Sequence, residues 1–145
     1  MNTAVDTNVL LDILCDSPSH REASLHSLLQ AGDEGDLVIC EIVYAELAAA
    51  FKGKGGKVEA FLEDAGLRLV RTPVGALAEA GRLWRGYRDR GGPRTRMVAD
   101  FLVGSHALFV SDRLLTRDRG FYAAHFKGFP VWDPQTRTPP TESAP

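Results

Sequence analysis

A chain of 145 residues with 44% hydrophobic and 25% charged content is large enough to bury one core without disulfides or a structural metal. Nothing in it approaches the roughly 18 apolar residues of a membrane span, and no basic-then-apolar leader precedes Asp6, so a cytoplasmic protein is expected. The formal charge of −2 conceals a local excess, since Arg82, Arg85, Arg88, Arg90, Arg94 and Arg96 face one nearby acid, Asp89. That segment reads either as a site for an anionic partner or as a solvated helix face.

In chain order, Thr3-Ala4-Val5 predicts a short strand ending at Asp6, and Thr7 to Leu14 a helix with Val9, Leu10, Ile13 and Leu14 on its apolar side. Cys15 and the later Cys40 have no metal-like spacing and read as small apolar side chains of a reducing compartment. A second helix is signalled twice, by Ser17 before Pro18 and by a capping box of Ser19 with Glu22; it ends between Gly32 and Gly35. Leu37-Val38-Ile39-Cys40 suits a strand covered on both faces. Val43, Leu47, Ala50 and Phe51 then give Glu41 to Phe51 a helical stripe, with Glu46 beside it. A basic glycine loop, Lys52 to Lys57, leads into a helix over Val58 to Asp64.

Leu67 to Val70 is a third strand, and Pro73 opens a long helix, Val74 to Arg90, with Leu77, Ala80 or Gly81, Trp84 and Tyr87 or Arg88 marking one face. Gly91-Gly92-Pro93 closes it, and Thr95 starts another helix that runs through Asp100 and ends between Ala107 and Val110. Leu114-Leu115-Thr116 is a fourth strand ending near Asp118, Gly120 to Phe126 a helical turn, and Phe129 to Trp132 a last strand kept at an edge by Pro130. Four prolines between Pro134 and Pro145 predict a flexible tail, which bounds the folded domain at residues 1–133 and the tail at 134–145. Strands alternating with helices indicate an α/β sandwich around a mostly parallel sheet.

Asp6 and Asp118 each close a strand, where an open parallel sheet collects its ligands. Asp100 has apolar neighbours for three residues on either side; an isolated carboxylate in such a place takes up a proton or calls for a cation. Glu46, beside Val43 and Leu47, poses the same problem more mildly. For Asp100 the cation is either one of the nearby arginines or a metal. Singly, Glu46 also reads as a surface glutamate and Asp118 as a turn or N-cap residue. Jointly, four carboxylates converging on one crevice need a divalent ion to offset their repulsion, and all-oxygen ligation suits Mg²⁺ or Mn²⁺.

With those residues assembled, Val5-Asp6-Thr7-Asn8-Val9-Leu10-Leu11-Asp12, Tyr44-Ala45-Glu46-Leu47, Ala99-Asp100 and Leu114 to Tyr122 resemble the PIN domain, in particular the toxin ribonucleases of the VapC type. The resemblance extends to about Pro134. It implies a three-layer α/β/α sandwich with a central five-stranded parallel sheet, catalytic metal ligands at Asp6, Glu46, Asp100 and Asp118, and assisting roles for Thr7, Asn8 and Thr116. A homodimer and a cognate antitoxin that occludes the site are further implications. Asp112 is an extra acid near the fourth motif, either a turn residue or an alternative ligand.

The expected activity is Mg²⁺- or Mn²⁺-dependent endoribonucleolytic hydrolysis of RNA, by a toxin acting on tRNA or rRNA, with Arg85, Arg94, Arg96, Arg117 and Arg119 holding phosphates. Competing readings are a PIN-like nuclease of RNA processing and a protein-binding module with an inactive site. A phosphatase using Asp6 as nucleophile would want a second aspartate where Asn8 stands.

Overall fold

Three of the five strands are runs in which every side chain is buried: β1 (Thr3–Val5), β2 (Leu37–Ile39) and β4 (Arg113–Leu115). The other two, β3 (Leu67–Leu69) and β5 (Val131–Trp132), are partly exposed. That difference is positional, because the sheet order is β3-β2-β1-β4-β5, all parallel, with the mixed strands at the edges. The computed structural model describes residues 1–94, 96 and 98–136. Its helices are α1 (Thr7–Leu14), α2 (Arg21–Glu34), α3 (Glu41–Ala50), α4 (Gly55–Ala65), α5 (Val74–Asp89), α6 (Val98–Val110) and α7 (Arg119–His125). Among the described residues no helix is long and apolar enough to cross a membrane.

From β1 the chain steps outward through β2 to β3, then returns past β1 to β4 and β5. Right-handed crossovers therefore put α1 to α4 on one face and α5 to α7 on the other, giving the expected three-layer α/β/α sandwich. The reversal opens a crevice between the carboxyl ends of β1 and β4, the usual binding position in such sheets. The core runs through both layers from Val5, Leu10, Val38 and Ile39 to Leu114, Leu115 and Trp132. On one face, Tyr87, Phe101, Phe121 and His125 join α5, α6 and α7 through ring contacts with centroids 4.8 to 5.5 Å apart.

Local expectations shift where tertiary packing overrides them. Helix α2 begins at Arg21 with His20 as an N-cap that makes no side-chain bond, so the Ser19–Glu22 capping box does not form. Helix α4 starts at Gly55, inside the expected glycine loop, because burying Val58 and Leu62 outweighs the poor helix propensity of glycine. In α5 the buried positions are Ala76 and Ala80, while Leu77 is exposed; the inward face is turned by one residue. Strand β4 begins at Arg113, whose charge is answered inside the fold: Nε donates to Thr3 Oγ1 (2.8 Å), Nη2 to Glu34 (2.6 Å), and the guanidinium lies 4.7 Å from the Trp132 ring centroid. Thr95, the expected start of the helix before Asp100, lies outside the described residues, as do residues 137–145 of the proposed tail. Of the tail's described part, Pro134 is buried and the Thr136 carbonyl accepts from the Trp132 indole (3.2 Å).

Gly104 makes room for the Phe126 ring at the end of α7, since a Cβ there would stand 2.3 Å from that ring. Gly104→Ala is expected to lower stability by about 1 to 3 kcal/mol through overpacking. Urea unfolding measures the loss, and a Phe126→Leu background should recover part of it.

Candidate active site

The centre of the crevice is Asp6, which is 8% exposed at the end of β1 and forms the N-cap of α1. Its Oδ1 accepts the Thr7 backbone N–H at 2.8 Å, and its Oδ2 accepts the Thr116 hydroxyl at 2.7 Å and the Asn8 amide at 3.4 Å. Thr116 follows β4, so its hydroxyl ties the two strand ends together. That hydroxyl also accepts from Asn8 Nδ2 (3.3 Å) and from the Asp118 N–H (3.0 Å). The Arg117 N–H donates to Asn8 Oδ1 (3.1 Å), which fixes which end of the amide is the donor. With both lone pairs of Thr116 engaged, its one proton points at Asp6, an arrangement that favours the carboxylate form.

Glu46 reaches the same place from α3 and accepts the Thr7 hydroxyl at 3.1 Å, although its residue is exposed. Asp100 arrives in the first turn of α6. The apolar surroundings expected all round it begin one residue later: Phe101 and Val103 to Ala107 are buried, whereas the Asp100 side chain is 35% exposed. The reason is its place at the mouth of the helix, where one side opens on the crevice. Asp118, the N-cap of α7, makes no capping bond and instead receives both nitrogens of the Arg96 fork, at 2.5 and 3.2 Å. Arg96 also stands 4.0 Å from Asp100 and 4.3 Å from the Phe121 ring centroid. The arginine partner considered for Asp100 from sequence thus exists, and it favours Asp118.

A support that sequence reasoning missed lies behind these residues. Arg117 donates to both oxygens of buried Asp12, at 2.7 and 3.0 Å, and Ser24 donates to the same carboxylate at 2.7 Å. This joins α1, α2 and the segment after β4, and commits the Arg117 guanidinium to the fold. Asp12 and Arg117 are 105 residues apart, and no local pattern marks them as partners. The other arginines considered for phosphate binding lie outward: Arg85 and Arg94 line a pocket with Trp84, Arg88 and Asp89, and Arg119 is exposed. Asp112 sits at the opposite end of the sheet as a turn residue, accepting the Asn2 N–H at 2.7 Å.

Burial pushes the Asp6 carboxyl up to about 6, with Glu46 and Asp100 adding repulsion and the Thr116 and Thr7 hydrogen bonds opposing the rise. Burial also carries the Tyr122 phenol far above its ordinary value, with the charges of Asp6, Asp100 and Asp118 adding to the rise. The donors are all oxygen, which fits a hard divalent cation in chemistry. Among the described residues no three of them are drawn close enough to cage an ion as the chain stands. A positive charge beside two of these acids is the Arg96 guanidinium.

An acid-lined crevice at the switch point of an all-parallel sheet defines an α/β protein with a carboxylate site. The PIN domain matches residues 3–127, and the chain belongs to that family. Three solved structures show the same fold. The VapBC2 structure from Rickettsia felis bound to a promoter DNA fragment has 18% identity and a TM-score of 0.70, over 92% of this chain and 98% of that one. VapBC-1 from nontypeable Haemophilus influenzae has 17% identity and a TM-score of 0.72, over 94% and 100%. A toxin–antitoxin complex from Klebsiella pneumoniae has 19% identity and a TM-score of 0.59, over 91% and 97%. Among curated proteins none matches the sequence.

Two outcomes follow from the site's construction. Asp12→Ala strands the half-buried Arg117 charge and the Ser24 hydroxyl, and should cost about 2 to 3 kcal/mol in chemical denaturation. For Asp6 the folded value lies above the ordinary 3.8, so between pH 4 and 6 the unfolded chain loses this proton first and stability falls as pH rises. The penalty is complete above about pH 6, at roughly 3 kcal/mol before the amide's misplaced donor is discounted. In EDTA, the stability difference between Asp6→Asn and the natural chain should therefore grow from pH 4 to 6 and then level off. A flat difference would show that burial does not raise this carboxyl.

Proposed function

We propose that this chain is a Mg²⁺- or Mn²⁺-dependent endoribonuclease, the toxin of a toxin–antitoxin pair, acting on tRNA or rRNA in the cytoplasm. What supports the reading is a set of contacts joining acids from separate elements: Thr7 bonds to both Asp6 and Glu46, Thr116 bonds to Asp6 and to the Asp118 backbone, and Arg96 lies against Asp118 and near Asp100. Family membership supports hydrolysis of nucleic acid, and the toxin–antitoxin complex of similar fold supports an antitoxin partner. The Arg96 bridge favours a second reading, in which Asp118 and Asp100 serve a structural ion pair and the site is inactive.

In the proposed reaction the four acids hold the metal, which when bound supplies Lewis acidity for the attacking water and charge neutralisation for the leaving oxygen. Asp6 is the fixed member, held by hydrogen bonds from Thr7, Asn8 and Thr116. Glu46, oriented by Thr7 and open to solvent, takes the proton of the attacking water. Arg85, Arg88 and Arg94 around Trp84 hold the backbone phosphates and stack a base, and Arg119 extends the basic surface. A homodimer would cover Val74, Leu77, Leu108 and Phe109, which are exposed on α5 and α6 and adjacent where Gly75 faces the Phe109 ring.

Incubating purified tRNA and rRNA with the protein tests this. Discrete fragments should appear with Mg²⁺ or Mn²⁺ and disappear with EDTA. Asp100→Asn should unfold like the natural chain but cut slower by more than the roughly 10- to 100-fold that loss of an outer metal contact brings. No cleavage of either RNA by folded, metal-supplemented protein would overturn the proposal.

A further inference from the structure

The side chain that distinguishes this crevice is Arg96, a cation placed among acids. Its fork covers both oxygens of Asp118, and it stands 4.0 Å from Asp100. Arg96, Asp118 and Asp100 are each about one-third exposed, so their contact lies at the solvent-facing border of the site and not in the core. The guanidinium also rests against the Phe121 ring, which retains it near the crevice independently of the carboxylates. The loop that delivers it is anchored at its start. Gly91 takes a φ of +77°, Gly92 packs where a Cβ would fall 2.5 Å from the Tyr87 ring, and the Tyr87 hydroxyl donates to the Pro93 carbonyl at 2.8 Å.

We propose that Arg96 is a tethered counter-ion which holds Asp118 and Asp100 in the metal-free chain and must leave them when a divalent cation binds. The inference rests on the metal-dependent reading above and adds its regulation. A divalent ion on Asp118 and a guanidinium forked onto the same two oxygens would place like charges within a few ångströms of each other, so one excludes the other. Exchange also accounts for the lack of a ready cage among the described acids, since Arg96 holds Asp118 in its own orientation. Metal affinity in this chain is consequently the difference between two ion contacts. Arg117 cannot play this part, because its partner Asp12 is buried and outside the acid cluster.

The test is Mn²⁺ binding to the full chain by titration calorimetry, independent of RNA. Arg96→Met should bind Mn²⁺ about tenfold or more tightly than the natural chain, the range of a charge-assisted bidentate contact, with Arg96→Lys in between. Arg90→Met removes the same charge from the C-cap of α5 and should leave affinity within about twofold. Unchanged or weaker binding by Arg96→Met, or an equal gain in Arg90→Met, would overturn the proposal while leaving the metal-dependent reading intact. No Mn²⁺ binding by any folded chain would remove both. Tighter binding without RNA cleavage would support the counter-ion and sink the nuclease. Should Arg96→Met fail to fold, the Arg96 Nε–H resonance of the natural chain serves instead: it should shift with the Mg²⁺ binding midpoint, and a signal unmoved at saturation refutes exchange.

Discussion

A carboxylate buried at the end of the central strand has to be answered by its surroundings, and Asp6 sets the terms for this whole end of the sheet. Three donors from two directions meet it, the Thr7 amide and Asn8 side chain from its own helix start and the Thr116 hydroxyl from the neighbouring strand. Because Thr116 also accepts from the Asp118 amide, the position of a second acid is tied to the bond that holds the first. Burial nevertheless outweighs these bonds and leaves the group less acidic than usual. The crevice is thus arranged to gain from added positive charge.

Two arginines answer acids here, and their depths give them different parts. The Arg117–Asp12 pair rests on a carboxylate that is 4% exposed and shares it with Ser24; removing either partner leaves an unanswered charge inside the protein. The Arg96–Asp118 pair has both members about one-third exposed, where water can replace either. The first aligns the helix carrying Asp6 and Asn8 with the segment carrying Asp118. The second concerns only what occupies the space between the acids.

Much of this was legible from local pattern. The change from a short apolar strand to a helical period at Asp6, the continuous apolar run over residues 37–39, and Pro130 before an edge strand each record a local demand that the fold respects. What could not be read is what depends on partners far away. The burial of Arg113 and its bond to Thr3, the pairing of Asp12 with Arg117, and the turn of α5 that buries Ala76 and leaves Leu77 outside are set by neighbours more than 60 residues distant or on other helices. The depth of Asp100 was overread for a related reason: an apolar run has the same period whether it lies mid-core or opens on a crevice, and only the position of the helix end decides. Of the candidate site, the convergence of acids on the strand ends was visible, whereas the guanidinium among them was one of six arginines with nothing local to single it out.

The bond from Thr116 to Asp6 spans 110 residues, and the strands it joins are adjacent only after the chain has gone out to β3 and back. Synthesis proceeds from the amino end at about 5 to 20 residues per second, so Asp6 emerges many seconds before its partner strand. Until β4 arrives, β1 lacks one of its two neighbours and the crevice has only one wall. Assembly of the centre is therefore a late event in the life of each molecule, and a truncated or nascent chain carries the acids without the geometry that gathers them.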